Sequence, residues 1–151
     1  MPSIQNPGMP LVRQATGKSD ILVPAGRTPR PAHAHYAAAR SSTELGHWHW
    51  IYFFTYPVNG SAADGHVHDY QGTSRVADYK GVSHFHRFNG TTGPAIALAD
   101  GTHYHLFSAE LNDEPFQLEG GSYLTVLSIP RHTHSFSGPT GPGLGYEPPG
   151  W

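Results

Sequence analysis

The sequence predicts an all-β protein: an antiparallel meander or small sandwich of repeated hairpins, with an extended Pro-rich N-terminal arm and a C-terminal tail. The 151 residues include 18 glycines and 14 prolines, which favour turns and short strands over long helices. Asn-Gly, Asp-Gly and Gly-Gly pairs begin at positions 59, 64, 89, 100 and 120, and such pairs suit the positive φ angles of hairpin turns. The segments between them are short and rich in aromatic and β-branched residues, and only residues 37–45 have a weak helical period.

The distribution of proline and charge divides the chain into three zones. We predict a Pro-rich arm over residues 1–32, a His-rich β domain over residues 33–137 and a Pro/Gly-rich tail over residues 138–151. Residues 1–40 carry five basic residues and one acidic residue, whereas residues 41–151 carry four basic and ten acidic residues. A basic arm on an acidic body favours docking of the arm on a second copy. We therefore expect a homo-oligomer whose head-to-tail contacts build a filament.

Composition excludes several classes of protein. Charged residues make up 13% of the chain and the net charge is −2, so a nucleic-acid partner is not expected. The absence of cysteine excludes disulfides, thiolate metal sites and iron–sulfur clusters. No apolar run reaches the length of about 18 residues that a membrane span needs, and no signal peptide is recognisable. The missing signal favours the cytoplasm, but a filament fits a cell-surface or extracellular fibre, and we expect the fibre.

The histidines are the most informative residues in the chain. All twelve fall in six H-x-H pairs, whereas random placement at this frequency would give about one such pair. Central pairs begin 18 or 19 residues apart, which predicts an internal repeat of about one hairpin per pair. The pairs are His33/His35, His47/His49, His66/His68, His84/His86, His103/His105 and His132/His134.

The residues that flank the pairs also repeat. The shared pattern is H-x-H-x-aromatic, often followed by x-Gly-Thr, as in HVHDYQGT from position 66 and HFHRFNGT from position 84. Alternate residues of a β-strand share a face, so each strand should present two imidazoles and one ring on the same side. The predicted rings are Tyr70, Phe88, Phe107 and Phe136, and the residues predicted on the opposite face are Val67, Phe85, Tyr104 and Thr133.

This pattern predicts metal binding, with all twelve histidines as ligands. Neutral imidazole binds Cu, Zn, Ni and Fe, and the near absence of sulfur donors favours Cu(II), with Zn(II) and Ni(II) as alternatives. One pair supplies two ligands, so two strands or two subunits must complete a site of three or four ligands. The first two pairs depart from the flanking pattern and are the weakest candidates. Bis-histidine haem is not expected, because the chain has no C-x-x-C-H motif.

The stretch from Asp64 to Glu110 resembles the YmaF family of small, His-rich bacterial proteins. The matching residues are HVHDYQGTSRVA, HFHRFNGTTGPAI and GTHYHLFSAE, and a looser likeness extends to the last pair. The arm and the tail are outside the resemblance. It implies a β-rich bacterial protein that binds metal, and it brings no established activity.

Enzyme motifs are poor, and we predict a non-enzymatic protein. Cupin enzymes place a glutamate four or five residues after an H-x-H pair, and only His103/His105 with Glu110 has that spacing. Serine-hydrolase, zinc-protease, phosphate-loop and dinucleotide motifs do not occur. The sequence thus predicts a structural metal-binding protein that assembles with itself. The alternatives are an enzyme with one cupin-like site and a soluble metal buffer that does not assemble.

Overall fold

A computed structural model describes residues 32–145, and the predictions about the arm and the last six residues lie outside that range. The all-β prediction is confirmed, since the described residues form antiparallel strands. Within this range no helix is long and apolar enough to cross a membrane. The strands are β1 (Ala32–Arg40), β2 (Trp50–Phe54), β3 (Val58–Asn59), β4 (Asp69–Thr73), β5 (Ala77–Tyr79), β6 (Val82–His84), β7 (Arg87–Thr91), β8 (Ile96–Ala97), β9 (His103–Tyr104), β10 (Leu106–Glu110), β11 (Phe116–Glu119), β12 (Ser122–Thr125), β13 (Ser135–Pro139) and β14 (Gly143–Leu144).

Three long hairpins form the body of the protein: β1–β2, β4–β7 and β10–β13. Each pairs five residues with five, and the registers are equivalent, as in Asp69↔Thr91 and Leu106↔Pro139. An H-x-H pair lies at or just before the start of each of the six strands. The repeating unit is therefore a hairpin with two pairs. The expected repeat of one hairpin per pair is wrong, because each pair belongs to a single strand.

Small hairpins occupy the connections between the paired strands. The β5–β6 turn contains Lys80 and Gly81, and the β11–β12 turn contains Gly120 and Gly121, all with positive φ. The predicted Gly120-Gly121 turn is thus confirmed. The predicted turn at Asn89-Gly90 is wrong, because both residues lie inside β7. The weak helical period over residues 37–45 does not correspond to a helix, since residues 37–40 belong to β1.

The three hairpins close into a ring. At one end, Tyr56 N–H donates to Asp69 O, Gly93 N–H to Leu106 O and Gly141 N–H to Tyr36 O. These bonds join the first hairpin to the second, the second to the third and the third to the first. Equivalent bonds join the hairpins at the other end, from Ser42 N–H to Ser135 O, Arg75 N–H to Trp50 O and Asn112 N–H to Arg87 O. The ring therefore has approximate threefold symmetry.

The interior of the ring is filled by side chains that follow the histidine pairs. Two residues after each pair lies a buried apolar residue, which confirms the predicted face of Tyr70 and of the three phenylalanines. Phe53 stacks on Tyr70 with ring centroids 4.5 Å apart and meets Phe107 edge-on at 5.2 Å. The six equivalent buried residues are Ala37, Ile51, Tyr70, Phe88, Phe107 and Phe136.

Glycines opposite aromatic rings explain the Gly that follows three of the four H-x-H-x-aromatic motifs; after Phe107 the equivalent residue is Ala109, which pairs with Phe136. Tyr70 pairs across the hairpin with Gly90, and Phe88 pairs with Gly72. A Cβ at Gly90 would lie 2.5 Å from the Tyr70 hydroxyl, and one at Gly72 would lie 3.0 Å from Phe88 Cζ. The ring of one strand thus occupies the space that a side chain on its partner would need. In the first hairpin the sizes are exchanged, with Phe53 opposite a small residue at position 37.

The predicted C-terminal tail contributes to this body. Residues 138–139 belong to β13, and β14 pairs with β1 through Ala34↔Leu144 and His35↔Gly143. Thr140 is buried, and its hydroxyl accepts a hydrogen bond from His105 N–H at 3.0 Å. Strand pairing within the described residues therefore extends to Leu144, past residue 138, where the predicted tail begins.

Candidate metal centres

The six histidine pairs form two clusters, one at each end of the ring. The two strands of an antiparallel hairpin begin at opposite ends, so consecutive pairs alternate between the ends. Cluster I contains His33, His35, His66, His68, His103 and His105. Cluster II contains His47, His49, His84, His86, His132 and His134, of which His84 joins through 3.1 Å and 3.3 Å contacts with His47 and His132. The structure thus brings all twelve predicted ligands together, three pairs to a cluster.

The imidazoles of each cluster are arranged as the corners of an octahedron. Every ring lies edge-on to four others, with centroids 4.5–5.1 Å apart in cluster I and 4.7–5.3 Å apart in cluster II. Each ring then has one partner across the centre. The opposite pairs are His33/His105, His35/His66 and His68/His103 in cluster I, and His47/His86, His49/His132 and His84/His134 in cluster II.

The Nε2 atoms point to the centre of each cluster. His33 Nε2 lies 3.0 Å from both His66 Nε2 and His103 Nε2 in cluster I. In cluster II, His132 Nε2 lies 3.1 Å from His47 Nε2 and 3.2 Å from His86 Nε2. An octahedron with these edges has a centre-to-corner distance of about 2.1–2.3 Å, since the edge is √2 times that distance. This is close to the metal–nitrogen distance of about 2.0–2.1 Å in zinc–histidine sites.

Hydrogen bonds to the backbone fix the orientation of the second histidine in every pair. Its Nδ1–H donates to a carbonyl oxygen of the neighbouring hairpin or connection at 2.8–3.0 Å. The proton on Nδ1 leaves Nε2 as a free acceptor, which is the tautomer that binds a metal. Four of these Nε2 atoms, at His49, His68, His105 and His134, are buried without a hydrogen-bond partner. The acceptor carbonyls belong to Gly141, Arg75, Tyr56, Asn112, Gly93 and Ser42 for His35, His49, His68, His86, His105 and His134.

Buried hydroxyl groups hold the backbone of the second histidine. Thr92 Oγ1 accepts from His68 N–H at 3.0 Å, and its own N–H donates to His68 O at 2.8 Å. The same exchange recurs around the ring, except that Leu111 replaces the hydroxyl residue opposite His134. These residues were not among the predicted site residues, although Thr91-Thr92 follows the recurring glycine. The hydroxyl residues are Ser41, Thr55, Ser74, Thr92 and Thr140.

Burial makes nine of the histidines poor bases. It lowers the pKa of His35, His49 and His86 to about 3, with neighbouring imidazoles adding to the shift and a backbone carbonyl opposing it. Burial and neighbouring imidazoles lower the pKa to about 4 at His84, His103 and His105. The pKa is lowered for the same reason, burial first, at His47, His68 and His134. These rings are therefore neutral at pH 7 and able to bind a metal.

A carboxylate accompanies one histidine of cluster I. Asp64 Oδ1 accepts a 2.7 Å hydrogen bond from His66 Nδ1–H. Burial alone would raise the pKa of Asp64, but the ring of His66 and the backbone N–H groups of Ser61 and His66 lower it to about 2. A carboxylate on the outer nitrogen fixes the tautomer of His66 and makes its Nε2 a stronger donor. His66 is also the only member of its cluster that is not fully buried.

The structure corrects two expectations about the site. The first two pairs are equivalent to the others, because Ala37 and Ile51 take the places of the aromatic residues behind them. On the opposite face of its strand, Phe85 is buried under β11 and β12, where its ring meets Tyr123 edge-on at 5.3 Å. The cupin-like set is not assembled, because Glu110 is exposed at the far end of β10 from His103 and His105.

The fold and the two clusters define a class: a histidine-rich β protein with a six-imidazole octahedron at each end of a three-hairpin ring. The model of the YmaF family, described as spore germination protein GerY/YamF, matches residues 63–142. A protein of Bacillus subtilis (strain 168), described as uncharacterized protein YmaF, is 39% identical over 127 residues, which cover 80% of this chain and 90% of that protein. The chain belongs to the YmaF family, which confirms the resemblance seen in the sequence. No solved structure matches it.

Proposed function

We propose that this protein binds two divalent transition-metal ions, one at the centre of each cluster, and that it has a structural or metal-holding role. The observation that carries the proposal is the convergence of histidine ring nitrogens at each end of the ring, where the ligand atoms lie within 4.8 Å of one another and the closest Nε2–Nε2 pairs are 3.0–3.3 Å apart. Six buried nitrogen acceptors at this spacing repel one another, and a cation at the centre would satisfy them all.

The surroundings of the clusters support this role. Backbone carbonyls and hydroxyls hold the second histidine of each pair, so little side-chain entropy is lost when a metal binds. All three hairpins contribute histidines to each cluster, so one ion bound in each cluster would cross-link the three hairpins at that end of the ring. Binding to the folded state alone would stabilise it, by about 4 kcal/mol at a free metal concentration a thousand times the Kd.

Metal stoichiometry tests the proposal. Protein purified from its source would be analysed for metals, and the metal-free protein would be titrated with Ni(II), Co(II), Zn(II) and Cu(II) by calorimetry. We expect two ions per chain and a rise in the unfolding temperature with each of the ions that bind. A chain that binds no divalent ion at micromolar concentration would refute the proposal.

We also propose that the chain assembles with itself through its termini. The basic charge of residues 1–40 and the acidic charge of residues 41–151 support docking of the arm on a neighbouring copy, and head-to-tail docking builds a filament. A filament fits a cell-surface or extracellular fibre. Copper, zinc and nickel are the ions that suit a donor set of imidazole alone, with copper favoured by donor type. If the protein remains a monomer at high concentration, the same clusters would make it a soluble metal buffer.

A further inference from the structure

The two clusters differ from the usual histidine metal site in the number of ligands that they offer. Structural and catalytic zinc sites use three or four protein ligands, and an open position marks the catalytic ones. Here all six corners of each octahedron are imidazoles, with edge contacts between Nε2 atoms such as His33–His103 at 3.0 Å and His84–His132 at 3.3 Å. A bound ion would therefore have no free position for water or substrate.

The arrangement resists rearrangement to four ligands. A tetrahedral ion with metal–nitrogen bonds of about 2.05 Å needs nitrogen atoms about 3.3 Å apart at every edge, and two of the six imidazoles would have to withdraw. The second histidines cannot withdraw without breaking hydrogen bonds, such as His86 Nδ1–H to Asn112 O at 2.8 Å. The rings are also packed edge-on against each other, and the buried core lies behind them. Both features favour an ion that accepts six nitrogen donors.

The charge of the site also restricts the ion. Six neutral imidazoles bring no negative charge into contact with the metal, and the carboxylate of Asp64 is the partner of an outer ring nitrogen in one cluster. Trivalent ions are stabilised by anionic oxygen ligands, which neither octahedron supplies. The donor set therefore suits divalent ions of the first transition row.

We infer that both clusters are selective for divalent ions that prefer regular six-coordination by nitrogen, Ni(II), Co(II) and Fe(II), over Zn(II), which prefers four ligands, and Cu(II), which prefers a tetragonal set. This inference rests on the proposed function and revises the ranking by donor type, which favoured copper. It also assigns the ion a cross-linking role, because a saturated octahedron leaves no position for catalysis.

Spectroscopy and competition test the inference on the full-length chain. The metal-free protein would be loaded with Co(II), whose visible absorption is weak in a six-coordinate centrosymmetric site and strong in a tetrahedral one. We expect weak absorption bands from the Co(II) ion in each of the two clusters. In competition, we expect Ni(II) to bind at least about tenfold more tightly than Zn(II). Strong tetrahedral bands, or Zn(II) that displaces Ni(II) at equal concentration, would overturn the inference and leave metal binding intact. Absence of any bound metal would refute the proposed function as well.

A matched pair of variants tests the sixth ligand. H66A removes one corner of cluster I, whereas V67A changes the exposed neighbour that points away from the cluster. We expect H66A to lower the ratio of Ni(II) to Zn(II) affinity at cluster I by at least about tenfold, because zinc can use the remaining imidazoles. V67A should leave the ratio unchanged, and cluster II serves as an internal reference in both variants. An unchanged ratio in H66A would show that the sixth imidazole does not select the ion.

Discussion

Substitution of one histidine pair should remove the ion at one end of the ring and leave the other. His84 and His86 both belong to cluster II. The pair lies just before the beginning of β7, and no histidine of cluster I lies there. The five residues of β4 lie between His68 of cluster I and Ser74, which holds His86, so the two are six residue steps apart. At about 3.3 Å per residue the two ends are roughly 20 Å apart, a distance at which sites are energetically independent. We therefore expect H84A/H86A to bind one Ni(II) per chain instead of two.

The assay is the nickel content after equilibration with a competing chelator, measured by elemental analysis against protein concentration. Nickel is the better probe because the four imidazoles that remain in cluster II can still hold zinc. H66A/H68A is the matched variant for cluster I, and it should lose the other ion. Since two alanines leave a cavity in a buried site, H84Q/H86Q provides a variant of closer size, and circular dichroism checks the fold of both.

Two outcomes for a folded H84A/H86A protein would contradict independent binding at the two ends of the ring. If a folded H84A/H86A protein lost both ions, the two clusters would act as one site. If it retained both ions at full affinity, the convergence of the rings in cluster II would have no role in binding. If the nickel that remained broadened the nuclear magnetic resonance signals of cluster II histidines and not those of cluster I, the alternation of pairs between the ends would be contradicted.

Four further results are expected. Stability of the metal-free protein should fall as pH decreases from 6.5 towards 3–4, because the folded clusters hold the pKa of rings such as His86 at about 3 and only the unfolded chain takes up protons. Urea midpoints should show a loss of up to about 1.4 kcal/mol per pH unit for each such histidine, and a flat profile would contradict the burial of neutral rings. G90A should cost about 1–3 kcal/mol in urea unfolding, since its Cβ would meet the ring of Tyr70, and a neutral effect would disprove that close packing. Y70F should be neutral or stabilising by about 1 kcal/mol, because the buried hydroxyl has no hydrogen-bond partner among the described residues; a clear loss would reveal one. Deletion of residues 1–31 should leave a metal-binding ring that no longer assembles. If size-exclusion chromatography showed the same polymer for the truncated chain, the arm would have no role in assembly.

The strand pattern and the chemistry of the site could be predicted from the sequence because both are local. Alternation along a strand places His66, His68 and Tyr70 on one face, and the structure confirms that face for the four complete motifs. The donor type also follows from composition, since twelve histidines and no cysteine leave imidazole as the ligand. Equivalent flanks made the internal repeat visible, although its length was underestimated by half.

The predicted turn at Asn89-Gly90 is wrong because local composition was its only basis. The dipeptide has the composition of a hairpin turn, but its glycine is required by a side chain twenty residues earlier, since the Tyr70 ring covers position 90. In the tail, the backbone carbonyl of Gly141 accepts a hydrogen bond from His35 Nδ1–H and joins the two ends of the described chain, a contact that does not depend on residue type and that composition therefore does not predict. A glycine that serves a partner strand is indistinguishable in sequence from one that serves a turn.

Side-chain direction in a β-strand depends only on the alternation of residues, so the order of amino acids was enough to predict pairs of imidazoles on one strand face with an apolar side chain behind them. Which pairs meet depends instead on contacts between distant parts of the chain. Antiparallel pairing sends consecutive pairs to opposite ends, and the closure of three hairpins through bonds such as Gly141 N–H to Tyr36 O brings three pairs to each end. The number of ligands, six and not three or four, follows from that closure, since it depends on contacts between residues about 30–100 positions apart.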